Sequence, residues 1–280
     1  MTEKKIPARV FAHAAQDAAT AKQTHSTPQT DSPSYKLAFQ DEAFLLRDDL
    51  RPVRFQLELL KPELLLDEAK IKSTMVFYGS ARIPAPGIAS AHPDPEIAAN
   101  LAALAPYYDE ARKLAQMASR IPRDEEGCRH FVVCSGGGPS IMEAANRGAK
   151  EARAESIGLN IVLPHEQLPN PYVTPELSFQ FHYFALRKMH FLLRARAVAV
   201  FPGGFGTLDE LFELLTLIQT GKIKPIPVML FGRAFWDEVV DFEALVHHGV
   251  IAARDLELFR FVETAEEAWD CVRCFYEAEG

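Results

Sequence analysis

The sequence lacks several features that would assign the protein to a special class. Its 280 residues contain no apolar run near the roughly 20 residues that cross a bilayer, and no apolar segment follows the lysines near the amino terminus. Basic residues are the minority, with 30 Lys and Arg against 38 Asp and Glu, whereas proteins that bind the nucleic-acid backbone usually carry a basic face. These absences predict a cytoplasmic protein that binds neither a membrane nor nucleic acid.

Cysteine is scarce as well. Four cysteines are too few for a disulfide framework in a chain of this length. Cys271 and Cys274 form a C-x-x-C pair, but neither a second pair nor a histidine couple follows at the spacing of a metal site. We therefore interpret them as two neighbours on one helix rather than as a redox or metal site, and we expect no metal.

Two common nucleotide-binding signatures are missing. The sequence contains neither the G-x-G-x-x-G spacing of dinucleotide-binding folds nor the Gly-Lys-Ser/Thr end of a P-loop. NAD and ATP are therefore disfavoured, and we expect no cofactor.

The sequence does show a high apolar content, 48%, and apolar runs that alternate with helical patterns. This alternation is typical of an α/β fold, here a Rossmann-like, doubly wound parallel sheet with helices on both faces. Residues 1–34 are rich in Ala, Thr, Gln, Ser and Pro and predict a disordered arm. Residues 35–72 predict a helical extension broken into short helices at Pro52 and Pro62. Residues 73–280 predict the catalytic domain.

Within this domain, short apolar runs predict strands and 3.6-residue periodicity predicts helices. The predicted strands are Thr74–Tyr78, His130–Cys134, Ile157–Leu163, the edge strand Leu177–Phe184, the central strand Ala197–Phe201, Ile226–Phe231 and Phe259–Val262. The predicted helices that matter below are Glu96–Arg120, Ala185–Arg196, Thr207–Thr220 and Ala234–His247.

The central strand leads into Pro202-Gly-Gly-Phe-Gly-Thr-Leu-Asp-Glu210. Three glycines of this turn lack a Cβ and let backbone N–H groups approach a ligand: Gly203, Gly204 and Gly206. A helix that opens at Thr207 would present free N–H groups and a positive dipole end, which favour a phosphate. Thr207 and Glu210 also fit the T-x-x-E capping box, in which Glu210 only ties off the helix start.

The same order of strand, glycine turn and helix also occurs earlier in the chain, at Ser135-Gly-Gly-Gly-Pro-Ser-Ile-Met-Glu143, which is therefore the first glycine turn of the chain. Gly137 and Gly138 can wrap a phosphate as a backbone nest. Ser140 and Glu143 repeat the capping-box spacing. One such turn means little, because tight turns need glycine anyway, but two in one sheet favour an anion site.

Two further segments carry candidate polar groups. Ser80 and Arg82 follow the first strand, and open α/β sheets bind ligands beyond the carboxyl ends of their strands. A turn serine and a solvated arginine are the alternative. Arg187 lies near the start of a predicted helix, where a cation gains nothing from the helix dipole, so we expect an anionic neighbour or ligand.

These segments together resemble the LOG family, the cytokinin riboside 5′-monophosphate phosphoribohydrolases, which are often labelled lysine decarboxylases. The resemblance covers about residues 70–280 and includes the full P-G-G-x-G-T-x-x-E motif of that family. It departs at Ser140, where many members have glycine. The matching segments are Gly79–Arg82, Ser135–Glu143, Arg187–Met189 and Pro202–Glu210.

The resemblance implies an enzyme that hydrolyses the N-glycosidic bond of a purine nucleoside 5′-monophosphate, AMP-like and including cytokinin-type N6-modified adenine, to the free base and ribose 5-phosphate. It implies Arg187 and Glu210 as catalytic residues and at least a homodimer. The substrate-binding residues that it implies are Ser80, Arg82, Gly137, Gly138, Glu143, Lys188, Gly203, Gly204, Gly206 and Thr207.

Two other functions stay open at this point. A protein of the same fold can hold a nucleotide or a molybdenum cofactor without cleaving it, although Arg187 and Glu210 favour the enzyme. Amino-acid decarboxylation needs a pyridoxal-phosphate lysine, and Lys188 has no sequence context for a Schiff base. We expect the loop Pro164–Pro175 to shape the base pocket, and no general acid for the departing base is evident.

Overall fold

The computed structural model describes residues 13–164 and 168–279. Residues 1–12 of the predicted arm and residues 165–167 of the predicted base-pocket loop lie outside the described residues. The chain divides into two compact units, residues 1–58 and 59–280. None of the described helices is long and apolar enough to span a membrane.

The amino-terminal part contains short helices. A helix, α1, lies within the predicted arm and buries none of its residues. Within the first unit, the Arg54 guanidinium donates to the carbonyl oxygens of Leu45 (2.8 Å) and Arg47 (2.6 Å). The helices are α1 Ala14–Ala21, α2 Glu42–Leu45 and α3 Arg51–Glu68, with 3-10 turns at Pro33–Tyr35, Ala38–Gln40 and Asp48–Leu50.

Helix α3 corrects one prediction, because neither proline breaks it. Pro52 lies in the first turn, where the missing N–H would have no partner within the helix. Pro62 lies inside the helix and is buried, as is Leu66 one turn later. The burial of this apolar stripe offsets the one backbone hydrogen bond that Pro62 cannot make.

The sheet consists of seven parallel strands in the order β4-β3-β2-β1-β5-β6-β7. The strands are β1 Thr74–Tyr78, β2 Val132–Ser135, β3 Ser156–Ile161, β4 Ser178–Phe181, β5 Ala195–Val200, β6 Val228–Phe231 and β7 Arg260–Val262. The helices are α4 Pro95–Ala103, α5 Pro106–Ala118, α6 Ile141–Glu151, α7 Phe184–Leu193, α8 Phe205–Gln219, α9 Arg233–Val239, α10 Phe242–His247 and α11 Ala265–Glu279.

Apolar cores on both faces of the sheet confirm the predicted doubly wound α/β fold. One core joins alternate strand residues to α7, α8, α9 and α10, and the other joins the remaining strand residues to α5, α6 and α11. The central strands β1 and β5 are almost entirely buried, as expected for parallel strands that helices cover on both sides. The short strand β4 lies at the edge of the sheet, as the sequence predicted.

The strand order reverses between β1 and β5. From β1 the chain adds β2, β3 and β4 on one side, and then returns to place β5 on the other side of β1. Open α/β sheets bind their ligands in the crevice at such a point, beyond the carboxyl ends of the strands. The Ser80 N–H donates to the Pro202 carbonyl oxygen at 3.0 Å, so the turns after β1 and β5 meet at this crevice.

Two helices predicted as continuous are each divided. Pro106 begins α5, because a proline lacks the N–H that a continuing helix needs but suits a first turn. The predicted helix Ala234–His247 stops at Val239. Asp241 then caps α10, since its carboxylate accepts a hydrogen bond from the Ala244 N–H at 2.8 Å.

We predict that Gly148→Ala destabilises the protein, although a glycine-to-alanine change inside a helix ordinarily gains about 1 kcal/mol. A Cβ at Gly148 would overlap the Arg112 carbonyl oxygen of α5 and lie 2.9 Å from the Ala115 Cβ. The free energy of unfolding, measured by denaturant titration, should fall by about 1–3 kcal/mol. The matched control is Gly206→Ala in α8, whose Cβ would meet no protein atom within 4 Å and which should lose no stability. Equal stability of the two variants would contradict the prediction.

Candidate active site

The turn after β5 differs from the predicted capping box. Helix α8 begins at Phe205, with Gly204 as its N-cap, so Thr207 is the third helical residue rather than the cap. Gly204 has an extended backbone, and its carbonyl oxygen accepts the first helical hydrogen bond from the Leu208 N–H at 3.0 Å. The alternative interpretation, in which Thr207 and Glu210 form a capping box, is therefore wrong. The Glu210 carboxylate is left to interact with other groups.

The glycines of this turn serve two different purposes. A Cβ at Gly203 would overlap the Thr207 Oγ1, so the buried Thr207 side chain requires glycine there. Gly204 and Gly206 need no left-handed backbone, and a Cβ at either would meet nothing within 4 Å. The fold does not require glycine at these two positions. Glycine there keeps the turn open to the close approach of a ligand.

The second capping box, Ser140 with Glu143, is also wrong. Ser140 is the N-cap of α6, but it has a φ of +64° and makes no side-chain cap. Its Oγ donates instead to the Ile83 carbonyl oxygen at 2.5 Å, which ties the loop after β1 to the start of α6. The Glu143 carboxylate accepts a hydrogen bond from the Tyr108 hydroxyl of α5 at 2.9 Å. Serine at position 140 thus has a local structural role.

Arg187 occupies the centre of the site. Its Nε donates to the Leu159 carbonyl oxygen at 2.7 Å, and its Nη1 lies 3.4 Å from the Glu210 Oε1. The guanidinium carbon lies 5.0 Å from the centre of the Phe191 ring. A Cβ at Gly136 would lie 2.5 Å from an Arg187 nitrogen, so the guanidinium closes against the first glycine turn. Glu210 is the anionic neighbour that the sequence led us to expect.

Burial dominates the electrostatics of this pair. The two side chains are only 12% and 13% exposed. Burial raises the pKa of the Glu210 carboxyl to about 7, and the Arg187 guanidinium opposes this shift without cancelling it. Burial, followed by the charge of Glu210, also raises the pKa of the Tyr78 hydroxyl well above its usual value. Tyr78 is therefore a neutral hydroxyl near the pair.

The structure brings some of the predicted residues together. Ser80 joins both turns, because its N–H donates to Pro202 after β5 and its carbonyl oxygen accepts from Ile141 of α6 at 3.4 Å. The Ser80 Oγ accepts the Arg82 N–H at 3.0 Å. The Arg82 side chain is exposed and pairs with no residue that the structure describes. The two glycine turns, Ser80, Arg187 and Glu210 therefore surround one crevice.

Two of the predicted substrate-binding residues, Lys188 and Glu143, interact with side chains of neighbouring helices instead. The Lys188 ammonium lies 3.0 Å from the Asp209 carboxylate and 3.2 Å from the Glu213 carboxylate, both on α8. Glu143 is held by Tyr108, as described above. Both side chains thus interact with neighbouring helices.

Sequence reasoning missed Asn170, whose amide donates to two carbonyl oxygens of the first glycine turn, at Gly137 and Gly138. It also gave no role to Asn146, which is fully buried in α6. The signal for Asn146 in the sequence was a polar side chain among the small apolar residues of that helix.

No cluster of three or more potential metal ligands occurs within residues 13–164 and 168–279.

We predict that Glu210→Gln stabilises the protein at high pH but not at low pH. The unfolded carboxyl ionises near 4.5 and the folded one near 7, so ionisation penalises the folded state as pH rises between these values. The variant lacks this penalty. Its free energy of unfolding should exceed that of the parent by about 3 kcal/mol above pH 8, with little difference at pH 4.5.

Chemical denaturation at both pH values measures this difference. Glu213→Gln on the same helix is the control, because Glu213 is more exposed and pairs with Lys188. Its effect should stay below about 1 kcal/mol at either pH. A gain for Glu210→Gln of the same size at both pH values would show that ionisation is not its cause.

Parts of this chain are similar in sequence to known proteins. Residues 142–272 match a family model described as "Possible lysine decarboxylase". The chain is 31% identical over 135 residues to a pyrimidine/purine nucleotide 5′-monophosphate nucleosidase of Escherichia coli, an alignment that covers 43% of this chain and 29% of the relative. The chain therefore spans less than a third of the length of that relative.

Among solved structures, a structural genomics target matches with a TM-score of 0.45 and 19% identity, covering 72% of this chain and 98% of that one. A molybdenum cofactor carrier protein from Chlamydomonas reinhardtii matches with a TM-score of 0.43 and 17% identity, covering 73% and 99%. The region that matches the family model contains Arg187–Met189 and Pro202–Glu210, two of the segments that carry the resemblance to the LOG family.

Proposed function

We propose that the protein hydrolyses the N-glycosidic bond of a nucleoside 5′-monophosphate, so that water adds across the bond to give the free base and ribose 5-phosphate. The observation that carries this proposal is the buried pair of Glu210 and Arg187 between two glycine turns. A charged pair shielded from water at the ligand-binding edge of an α/β sheet is suited to catalysis.

The glycine turns are suited to the 5′-phosphate. The free N–H groups and positive dipole end of α8 favour an anion. Gly204 and Gly206 leave the approach to these groups open. Binding of the phosphate, which does not react, would position the ribose over the buried pair and lower the barrier for the reacting bond.

Glu210 is suited to the bond cleavage. Departure of the base leaves positive charge on the ribose ring, and an ionised carboxylate beside C1′ stabilises that charge. The same carboxylate can accept a proton from the attacking water. Arg187 orients Glu210 through their ion pair and lowers its pKa against the effect of burial, which increases the ionised fraction at neutral pH.

The proposed substrate is a purine nucleotide of the AMP type, including N6-modified adenine of the cytokinin kind. The resemblance to the LOG family supports this choice. The Escherichia coli relative is named for both pyrimidine and purine nucleotides, which supports a nucleoside 5′-monophosphate as the substrate class. A nucleotide-binding protein without hydrolysis is the alternative that the following assay separates.

We predict that the protein releases base and ribose 5-phosphate from AMP and N6-isopentenyl-AMP, and more slowly from UMP. Glu210→Gln should lower kcat/KM at least about 100-fold, because it removes the carboxylate that faces the developing charge. Chromatographic detection of the free base provides the measurement. Glu213→Gln, one turn further along α8, is the control and should retain the rate of the parent.

Binding of AMP by the parent without release of base over hours would exclude the hydrolase proposal and favour the binding protein. Equal rates with AMP and UMP would exclude the purine preference alone.

The pH dependence provides a separate prediction. Since the ionised carboxylate is the active form, kcat/KM should rise with pH and level off above about 7. Arg187→Met should raise the pKa of Glu210 further, because it removes the cation that most lowers that pKa. A carbon-13 NMR titration of the Glu210 carboxyl measures this shift. Lys188→Met removes a cation with a weaker influence and should produce a smaller shift. A larger shift in the Lys188 variant would contradict this assignment.

A further inference from the structure

Asn170 makes an unusual set of contacts with the first glycine turn. It lies in the segment after β3 and is buried, with 7% of its surface exposed. Its backbone N–H donates to the Gly137 carbonyl oxygen at 2.8 Å. Its side-chain amide donates to the carbonyl oxygens of Gly137 (3.1 Å) and Gly138 (2.9 Å). One residue therefore binds two successive carbonyl oxygens of the turn.

A buried network holds the Asn170 side chain in place. The Asn146 Oδ1 accepts hydrogen bonds from the Asn170 amide at 3.0 Å and from the Ser135 hydroxyl at 2.7 Å. The Asn146 amide donates to the Ser156 hydroxyl at 3.0 Å. The Asn170 Oδ1 accepts the Tyr172 N–H at 3.1 Å. A hydrogen-bonded network in a low-dielectric interior restrains its members, so these contacts hold the Asn170 amide in one orientation.

This orientation determines where the N–H groups of the turn point. The carbonyl and N–H of a trans peptide point in opposite directions, so holding the Gly137 carbonyl oxygen on Asn170 turns the Gly138 N–H away from the network. The Gly137 N–H is already bound to the Ser135 hydroxyl at 3.0 Å. The Gly138 N–H donates to none of the described residues, and Pro139, which follows it, has no N–H. The Gly138 N–H is thus a donor that the turn has available for a ligand.

We propose that Asn170 is a positioning residue that sets the peptide orientation of this turn and thereby its affinity for the substrate phosphate. The inference rests on the proposed function, because it takes the phosphate of a nucleoside 5′-monophosphate as the ligand of the turn. Gly137 has a φ of +72°, a conformation that the hydrogen bonds of Asn170 and Ser135 keep in place. Without the Asn170 amide, the Gly137–Gly138 peptide can rotate and withdraw its donor.

The test compares binding of a ligand that carries phosphate with binding of one that does not. Asn170→Ala should weaken AMP binding about tenfold, as expected for a lost hydrogen bond to a charged group, and should change adenosine binding less than twofold. Isothermal titration calorimetry with AMP, adenosine and inorganic phosphate measures this. In the hydrolysis assay, KM should rise about as much as the AMP dissociation constant, while kcat stays within about threefold.

Ser156→Ala is the matched control. It removes a hydrogen bond of the same buried network, but Ser156 contacts Asn146 and not the glycine turn. A loss of thermal stability with unchanged AMP binding is the result expected for this variant. Where Asn170→Ala does not fold, Asn170→Ser keeps a shorter donor and should show a smaller loss of AMP affinity in the same direction.

Unchanged AMP affinity in Asn170→Ala would overturn the inference. So would equal losses for AMP and adenosine, or a loss in Ser156→Ala as large as that in Asn170→Ala. These outcomes are separate from failure of the proposed function, since the binding measurements need no hydrolysis. A parent whose AMP affinity depends on Asn170 but which releases no base would overturn the hydrolase proposal and support the inference.

Discussion

The ion pair of Arg187 and Glu210 is the interaction on which the crevice depends. Each charge is largely removed from water, and the pairing offsets part of the cost of burial, which still raises the pKa of Glu210. The geometry of the pair is fixed from several sides, because the guanidinium also binds the Leu159 carbonyl oxygen and lies over the Phe191 ring. The absence of a side chain at Gly136 follows from the same packing.

The topology of the sheet makes this pair possible. Arg187 lies on α7, which leads into β5, and Glu210 lies on α8, which follows β5. Both helices pack on the same face of the sheet. The reversal of strand order between β1 and β5 then places the turns after both strands beside the pair. Residues 23 positions apart in sequence become one buried unit.

The glycines show how structural and functional requirements can be separated. Gly148 and Gly203 are each in contact with atoms that leave no room for a Cβ, and Gly137 adopts a left-handed backbone. The fold by itself requires glycine at these three positions, whatever a ligand adds at Gly137. Gly204 and Gly206 face open space with an ordinary backbone, so the fold would accept a side chain at either. In the second class the missing side chain itself points to a ligand, although all of these glycines look alike in the sequence.

The sequence by itself determined the parallel α/β sheet, the presence of a short edge strand and the resemblance to a known family. These features depend on short-range patterns of apolar residues and glycines. Such patterns can be recognised in a single sequence without knowledge of its tertiary contacts. The tertiary structure decided what each polar group does. Thr207 and Ser140 looked like helix caps, yet the helix starts and their long-range neighbours gave them other roles. The Glu210 pKa and the Asn170 network arise from desolvation and contacts between distant segments. Neither exists until the chain has folded, because both depend on which groups are removed from water together.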